Sequence, residues 1–201
     1  RKALRIGAFP TAGIELLPLA GDDDNGHGHG HKDKHVHEAT TDPHTWTSPG
    51  LVKIQAATMA KALAEADPAN AQAYAANLAA FQAELDALAG RLAAILEGVP
   101  AGSEFIVFHP AWAYFARDHG LKEAAIEAGG REPGPRKLLE LIEHAKESKA
   151  KAIFVQPQFS KKTAQTVAEA IGARLVPADD LAPDWPANLE SVAKALAEAL
   201  K

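Results

Sequence analysis

Residues 104–120 read EFIVFHPAWAYFARDHG, and at this point the grammar of the chain changes. Phe105–Phe108 is a short apolar run bounded by the turn composition GVPAGS before it and HP after it, which reads as a buried strand. AWAYFARDHG reads as a helix closed by Gly120. The same alternation then repeats. LLELIEHAKES (138–148) is an amphipathic helix, AIFVQP (152–157) a strand, KTAQTVAEAIG (162–172) a helix ending at Gly172, and RLVPA (174–178) a strand. PANLESVAKALAEALK (186–201) is a last helix with Pro186 near its start. Strands alternating with helices predict a small parallel sheet with helical crossovers, an α/β lobe over residues 101–201. Ligands of such sheets lie beyond the carboxyl ends of the strands. Two residues fall there: His109 directly after FIVF, and Asp179 close after RLV, at what reads as adjacent strand ends.

Upstream, Ser48 and Pro49 form an N-cap followed by proline, predicting a helix through about Glu65. Asp67-Pro68 reads as the same device opening a second helix. Leu78, Phe81, Leu85, Leu88, Leu92 and Ile95 recur at spacings of three and four and make one apolar stripe. From Pro68 to about Glu97, at ~1.5 Å per residue, this helix spans roughly 45 Å, a length that suits a spine joining two lobes. The expected organisation is therefore residues 1–66, a connecting helix over 67–100, and the lobe over 101–201. LRIGAFPTAGIELLP (4–18), broken by Pro and Gly, reads as strand or loop.

The segment GDDDNGHGHGHKDKHVHEATTDPHTW (21–46) holds six of the nine histidines of a chain with no cysteine. Residues 21–41 show no periodicity and almost no large apolar residue, so they read as a mobile loop. The net charge of −5 argues against a nucleic-acid partner, which shows as a basic face. No apolar run approaches the ~20 residues of a membrane span. Any metal site must use His, Asp and Glu, which points to zinc rather than to a thiolate centre.

His44 stands in DPHTWTSP (42–49), where Pro43 stiffens the turn that presents it. Taken singly, His44 reads as a turn histidine, His109 as a strand-end histidine satisfying a carbonyl, and Asp179-Asp180 as a common turn composition. Together, two imidazoles and a carboxylate suit Zn²⁺, whose closed sites take four donors. His119, before Gly120, and His144, on the polar side of its helix, are not counted as ligands.

The combination of DPHTWTSP, the His/Asp-rich insertion before it, the long helix, FIVFHPAWAYFARDHGL, VQPQFS (155–160) and VPADDLAPDW (176–185) resembles the zinc-binding receptors of zinc ABC importers. These belong to the periplasmic metal-binding proteins that also include manganese receptors, and the resemblance covers nearly the whole chain. It implies that His44, His109 and Asp179 are metal ligands. It also implies zinc rather than manganese, because the residue after the hydrophobic strand is His in zinc receptors and typically Glu in manganese receptors. Asp180 replaces the family's Pro, leaving open which carboxylate reaches the metal, and Gln156 replaces the Glu of the family's EPQF.

The resemblance further implies a first ligand from an amino-terminal α/β lobe, of which residues 1–66 would be a remnant. An exposed spine helix would then favour self-association. The loop histidines His27, His29, His31, His35 and His37 would form a secondary metal-binding loop. The expected function is capture of Zn²⁺ in the periplasm and delivery to a membrane ABC permease, without catalysis. The alternatives are a zinc buffer or metallochaperone working through the His-rich loop, and a zinc hydrolase, for which HExxH and a Ser/His/Asp pattern are missing.

Overall fold

The computed structural model describes residues 13–19, 41–127, 131–159 and 161–201. The loop histidines His27, His29, His31, His35 and His37 lie outside the described residues, as does most of the segment 4–18. Ser48 caps α1 (Pro49–Ala66) as its sequence predicts, its hydroxyl oxygen accepting from Leu51 N at 3.1 Å. Asp67 acts differently from Ser48. It ends α1 and precedes a 3₁₀ turn (Pro68–Asn70), and its carboxylate accepts from the Asn70 and Tyr74 side chains rather than from backbone N–H groups. The long helix α2 (Ala71–Leu96) follows. Burial along its stripe deepens towards the C-terminus: Phe81 is exposed, whereas Leu85, Leu88, Leu92 and Leu96 are buried. Its first part packs on α1 and its last part on the final helix, α6 (Trp185–Leu200), so it links the two regions.

Among the described residues the sheet has four parallel strands: β1 (Glu104–Val107), β2 (Lys122–Ala125), β3 (Ala152–Val155) and β4 (Arg174–Pro177), in the order β2-β1-β3-β4. Three short helices complete the crossovers: α3 (Ala113–Asp118), α4 (Pro135–Glu147) and α5 (Lys161–Ile171). Alternation along β1 sends successive side chains to opposite faces. Phe105 and Val107 join Leu92 of α2, Phe115 of α3 and Leu189 and Leu196 of α6 on one side. Ile106 and Phe108 join Ala145 of α4 and Val167 of α5 on the other. The sheet is thus covered on both faces, which leaves its edges for chemistry.

The order corrects one expectation. β1 and β4 are not neighbours, because β3 lies between them. His109 and Asp179 therefore follow strands separated by a third, and the residue after that third strand is Gln156.

Candidate metal centre

Each of the four strands delivers a polar side chain just past its carboxyl end. In sheet order these are Glu127, His109, Gln156 and the pair Asp179-Asp180. Backbone pairing runs slightly beyond the strands, with Ile126 N donating to Val107 O, Glu127 N to Phe108 O and Ala178 N to Val155 O. This continuation fixes where the side chains begin. The loop after β1 is held from both sides. Gln156, fully buried, donates from Nε2 to His109 O at 2.8 Å and accepts from His109 N at 3.3 Å. From β2, Glu123 Oε1 accepts from Ala111 N at 3.1 Å and Trp112 N at 2.8 Å. Pro110 has no N–H to satisfy, so two side chains meet every backbone N–H of the HPAW turn, while the buried Trp112 Nε1 has no hydrogen-bond partner among the described residues.

His44 arrives from outside the sheet, and aromatic side chains moor its segment. Tyr114 OH donates to Asp42 O at 2.7 Å, Trp46 Nε1 to Asp180 O at 2.9 Å, and Trp185 Nε1 to Trp46 O at 2.9 Å. Ser48 also donates to Asp118 of α3. His44 ends up 8% exposed, with its ring edge-on to that of His109 and the centroids 5.2 Å apart.

The two imidazoles are oriented alike. His44 Nδ1 lies 2.6 Å from Asp42 Oδ1, which also accepts from His44 N at 2.8 Å. His109 Nδ1 lies 3.1 Å from Glu127 Oε2, and Phe159 stacks on the His109 ring with centroids 4.7 Å apart. A carboxylate accepts and does not donate, so a neutral ring at either position carries its proton on Nδ1. Both Nε2 lone pairs then face each other at 3.4 Å. Two lone pairs so placed repel unless a cation stands between them. With Zn–N bonds of ~2.0–2.1 Å, two nitrogens on a tetrahedral edge are about 3.3–3.4 Å apart. The pair therefore has the spacing and tautomers of a zinc-binding edge, with a carboxylate behind each ring as in carboxylate–histidine–zinc triads.

Asp179 is held by other groups. Its Oδ1 accepts from Gln158 Nε2 at 2.6 Å and from Leu181 N at 3.1 Å, and its backbone carbonyl accepts from Asn188 Nδ2 at 2.6 Å. Burial alternates after β4: Ala178 is buried, Asp179 partly exposed and Asp180 8% exposed. Asp180 is thus the more buried of the two. Burial pushes its carboxyl up, its own backbone N–H and the nearby imidazoles, when protonated, pull it down, and the Asp179 charge adds to the rise. Among the described residues, no third His, Asp or Glu closes with the two imidazoles into a three-donor cluster. His119 caps α3 against Phe115, and His144 pairs with Glu104 at the surface at 2.7 Å, so neither belongs to the centre.

Sequence reading missed Asp42 and Glu127. Asp42 was legible, since a carboxylate two residues before a histidine across proline can reach its Nδ1. Glu127 was not, because it follows β2, a strand whose KEAA composition gives no apolar signal.

A family model described as "Zinc-uptake complex component A periplasmic" matches residues 5–199. The high-affinity zinc uptake system protein ZnuA of Brucella abortus is 33% identical over 165 residues, covering 80% of this chain and 49% of that protein. A crystal structure of ZnuA matches with a TM-score of 0.83 at 43% identity, over 96% of this chain and 68% of that one. A zinc-bound ZnuA deletion mutant matches with a TM-score of 0.82 at 44% identity, over the same shares. The chain spans about half the length of the curated relative it matches.

Proposed function

The chain belongs to the family of periplasmic component A proteins of zinc-uptake complexes, and from that premise we propose that it captures Zn²⁺ outside the cytoplasmic membrane and hands it to a membrane ABC permease. Zinc is its cargo, and no bond is made or broken in substrate. His44 and His109 bind through Nε2, and the Asp179-Asp180 pair supplies a carboxylate. Asp42 and Glu127 hold the Nδ1 protons, keep the rings aimed and raise their basicity towards the metal. The remaining donor is water or a residue outside the described ones. The loop histidines His27, His29, His31, His35 and His37 add weaker capacity, and residues 1–66 belong to a second lobe that α2 joins to the sheet.

The observation that carries this reading is the pair of Nε2 atoms facing each other at 3.4 Å with both Nδ1 positions engaged by carboxylates. The preference for zinc over manganese follows from the nitrogen donors, since an oxygen-rich shell suits manganese. Calorimetric titration at pH 7.5 tests it. One tight Zn²⁺ per chain is expected, surviving deletion of residues 22–37 and bound more tightly than Mn²⁺. His44→Ala and His109→Ala should each cost more than the about 10- to 100-fold that loss of an outer partner costs. Equal or tighter manganese binding, or either variant binding like the parent, overturns the reading.

A further inference from the structure

The connection after β3, QPQF (156–159), closes as a tight turn. Phe159 N donates to Gln156 O at 3.3 Å, and Pro157 takes the second position, where its fixed φ suits such turns. Both ends of the turn act on one residue. Gln156 holds the His109 backbone through its N–H and C=O, and Phe159 stacks on the His109 ring, with centroids 4.7 Å apart and planes 23° from parallel. That geometry lies in the favourable range for offset ring pairs. Phe159 is itself seated on the buried Phe108 ring at 5.6 Å, so the core sets its position.

The two imidazoles are not held equally. His44 has a carboxylate oxygen 2.6 Å from Nδ1 and a side chain 10% exposed, whereas His109 has one at 3.1 Å and a side chain 22% exposed. We propose that Phe159 is a positioning residue for His109, and that its stacked ring sets the rate at which zinc leaves the imidazole pair. The inference rests on the zinc-receptor reading above and deepens it.

A chelated ion departs one donor at a time, and the arm that swings away first is the one less firmly held. Here that arm is His109. Rotation of an imidazole about χ2 is a soft, broad torsion. A half-turn puts Cε1 where Nε2 stood and takes the lone pair away from the metal. The long Glu127 contact opposes this rotation only weakly. Phe159 opposes it sterically, because a ring turning beside a stacked neighbour must push its edge through that neighbour's face. Gln156 fixes the backbone from which the imidazole hangs, so one turn holds both the main chain and the ring. Phe159 also covers one face of the imidazole with apolar surface, and the apolar shell of a metal site controls solvent access to it.

Stopped-flow release of zinc into excess chelator, with association measured in parallel, tests this on the parent, Phe159→Leu and Phe159→Tyr. Thermal melts check that each variant folds. Leucine keeps apolar contact with Phe108 but cannot stack. Phe159→Leu should release zinc about three- to tenfold faster, the range that a ring pair of this kind is worth. Association should change by less than about twofold, since such changes fall mainly on dissociation. Phe159→Tyr should restore release to within about twofold of the parent. A second readout needs no metal. At pH 8, long-range proton–nitrogen spectra should show His109 as a single Nδ1-protonated ring in the parent and in Phe159→Tyr, and as a tautomer mixture in Phe159→Leu. A merely structural loss would lower the melting temperature without mixing the tautomers. Unchanged release in Phe159→Leu, equally fast release in Phe159→Tyr, or one fixed tautomer in all three chains overturns the proposal. A parent that binds no zinc refutes the receptor reading instead, and the tautomer spectra still test the role of Phe159.

Discussion

At the scale of the residue, Glu123 carries a separate consequence. One oxygen of its carboxylate accepts two backbone N–H bonds, while the other, Oε2, is buried without a hydrogen-bond partner. Burial pushes its carboxyl up to about 7 from 4.5, the Trp112 N–H pulls it down, and the charge of Asp42 adds to the rise. A carboxyl raised on folding contributes stability that is present below its unfolded value and lost as pH rises through the folded one. The window here is about pH 4.5 to 7, and the loss above it is on the order of 3 kcal/mol, at ~1.4 kcal/mol per pH unit. Glu123→Gln keeps an acceptor for both N–H groups and cannot ionise. We expect it to raise the melting temperature relative to the parent at pH 8 and to change it little at pH 4.5. Equal effects at both pH values would contradict the assignment. Glu123 was invisible in sequence because nothing marks KEAA as a strand. His44 and His109 were legible because a strand end and a Pro-stiffened turn announce themselves. Which of Asp179 and Asp180 reaches the metal was not legible, since adjacent carboxylates after a strand differ only in side-chain direction.

At the scale of the element, the helix ends show how much local chemistry the sequence contains. α3 and α5 close with a residue of positive φ, Gly120 and Gly172, and the next N–H reaches back five residues: Leu121 N to Ala116 O and Ala173 N to Ala168 O. This is the Schellman closure, and both glycines predict it. α4 closes the same way, Ala150 N donating to Ala145 O, but its positive-φ residue is Lys149 at φ 54°. A lysine there bears the clash of its Cβ with the carbonyl, about 1 kcal/mol. Lys149→Gly should therefore raise stability by roughly 0.5–1 kcal/mol, the gain being reduced by glycine's larger unfolded-state entropy. Gly172→Ala should lower stability by about 1 kcal/mol although open space surrounds its Cβ position, because the strain is in the backbone. Chemical denaturation of both variants checks the pair, and a destabilised Lys149→Gly would refute the first half. Strands showed the opposite limit. β1 and β3 are apolar and bury on both faces, so they were readable, whereas β2 exists through its register with β1, Glu104 opposite Lys122. Tertiary pairing overrides weak propensity there.

At the scale of the whole molecule, the sheet, the spine helix and the DPHTW segment are parts of one arrangement. The apolar alternation of β1 and β3 builds the two-sided core, and the same strands end in the residues that hold His109. α2 carries the chain from α1 to the sheet, and the mooring of Trp46, Tyr114 and Trp185 brings His44 from before α1 to the edge of a lobe that begins after α2. The α/β class, the crossovers and the long helix were readable from periodicity. The strand order was not, because short strands joined by helical crossovers do not reveal which of them are neighbours. The central claim is that this edge holds zinc between two imidazoles. Crystals of the chain loaded with one equivalent of Zn²⁺, measured at wavelengths on either side of the zinc absorption edge, test it most directly. A single strong anomalous peak is expected within ~2.0–2.1 Å of Nε2 of both His44 and His109. A peak bound by neither ring, or by the loop histidines alone, would contradict it.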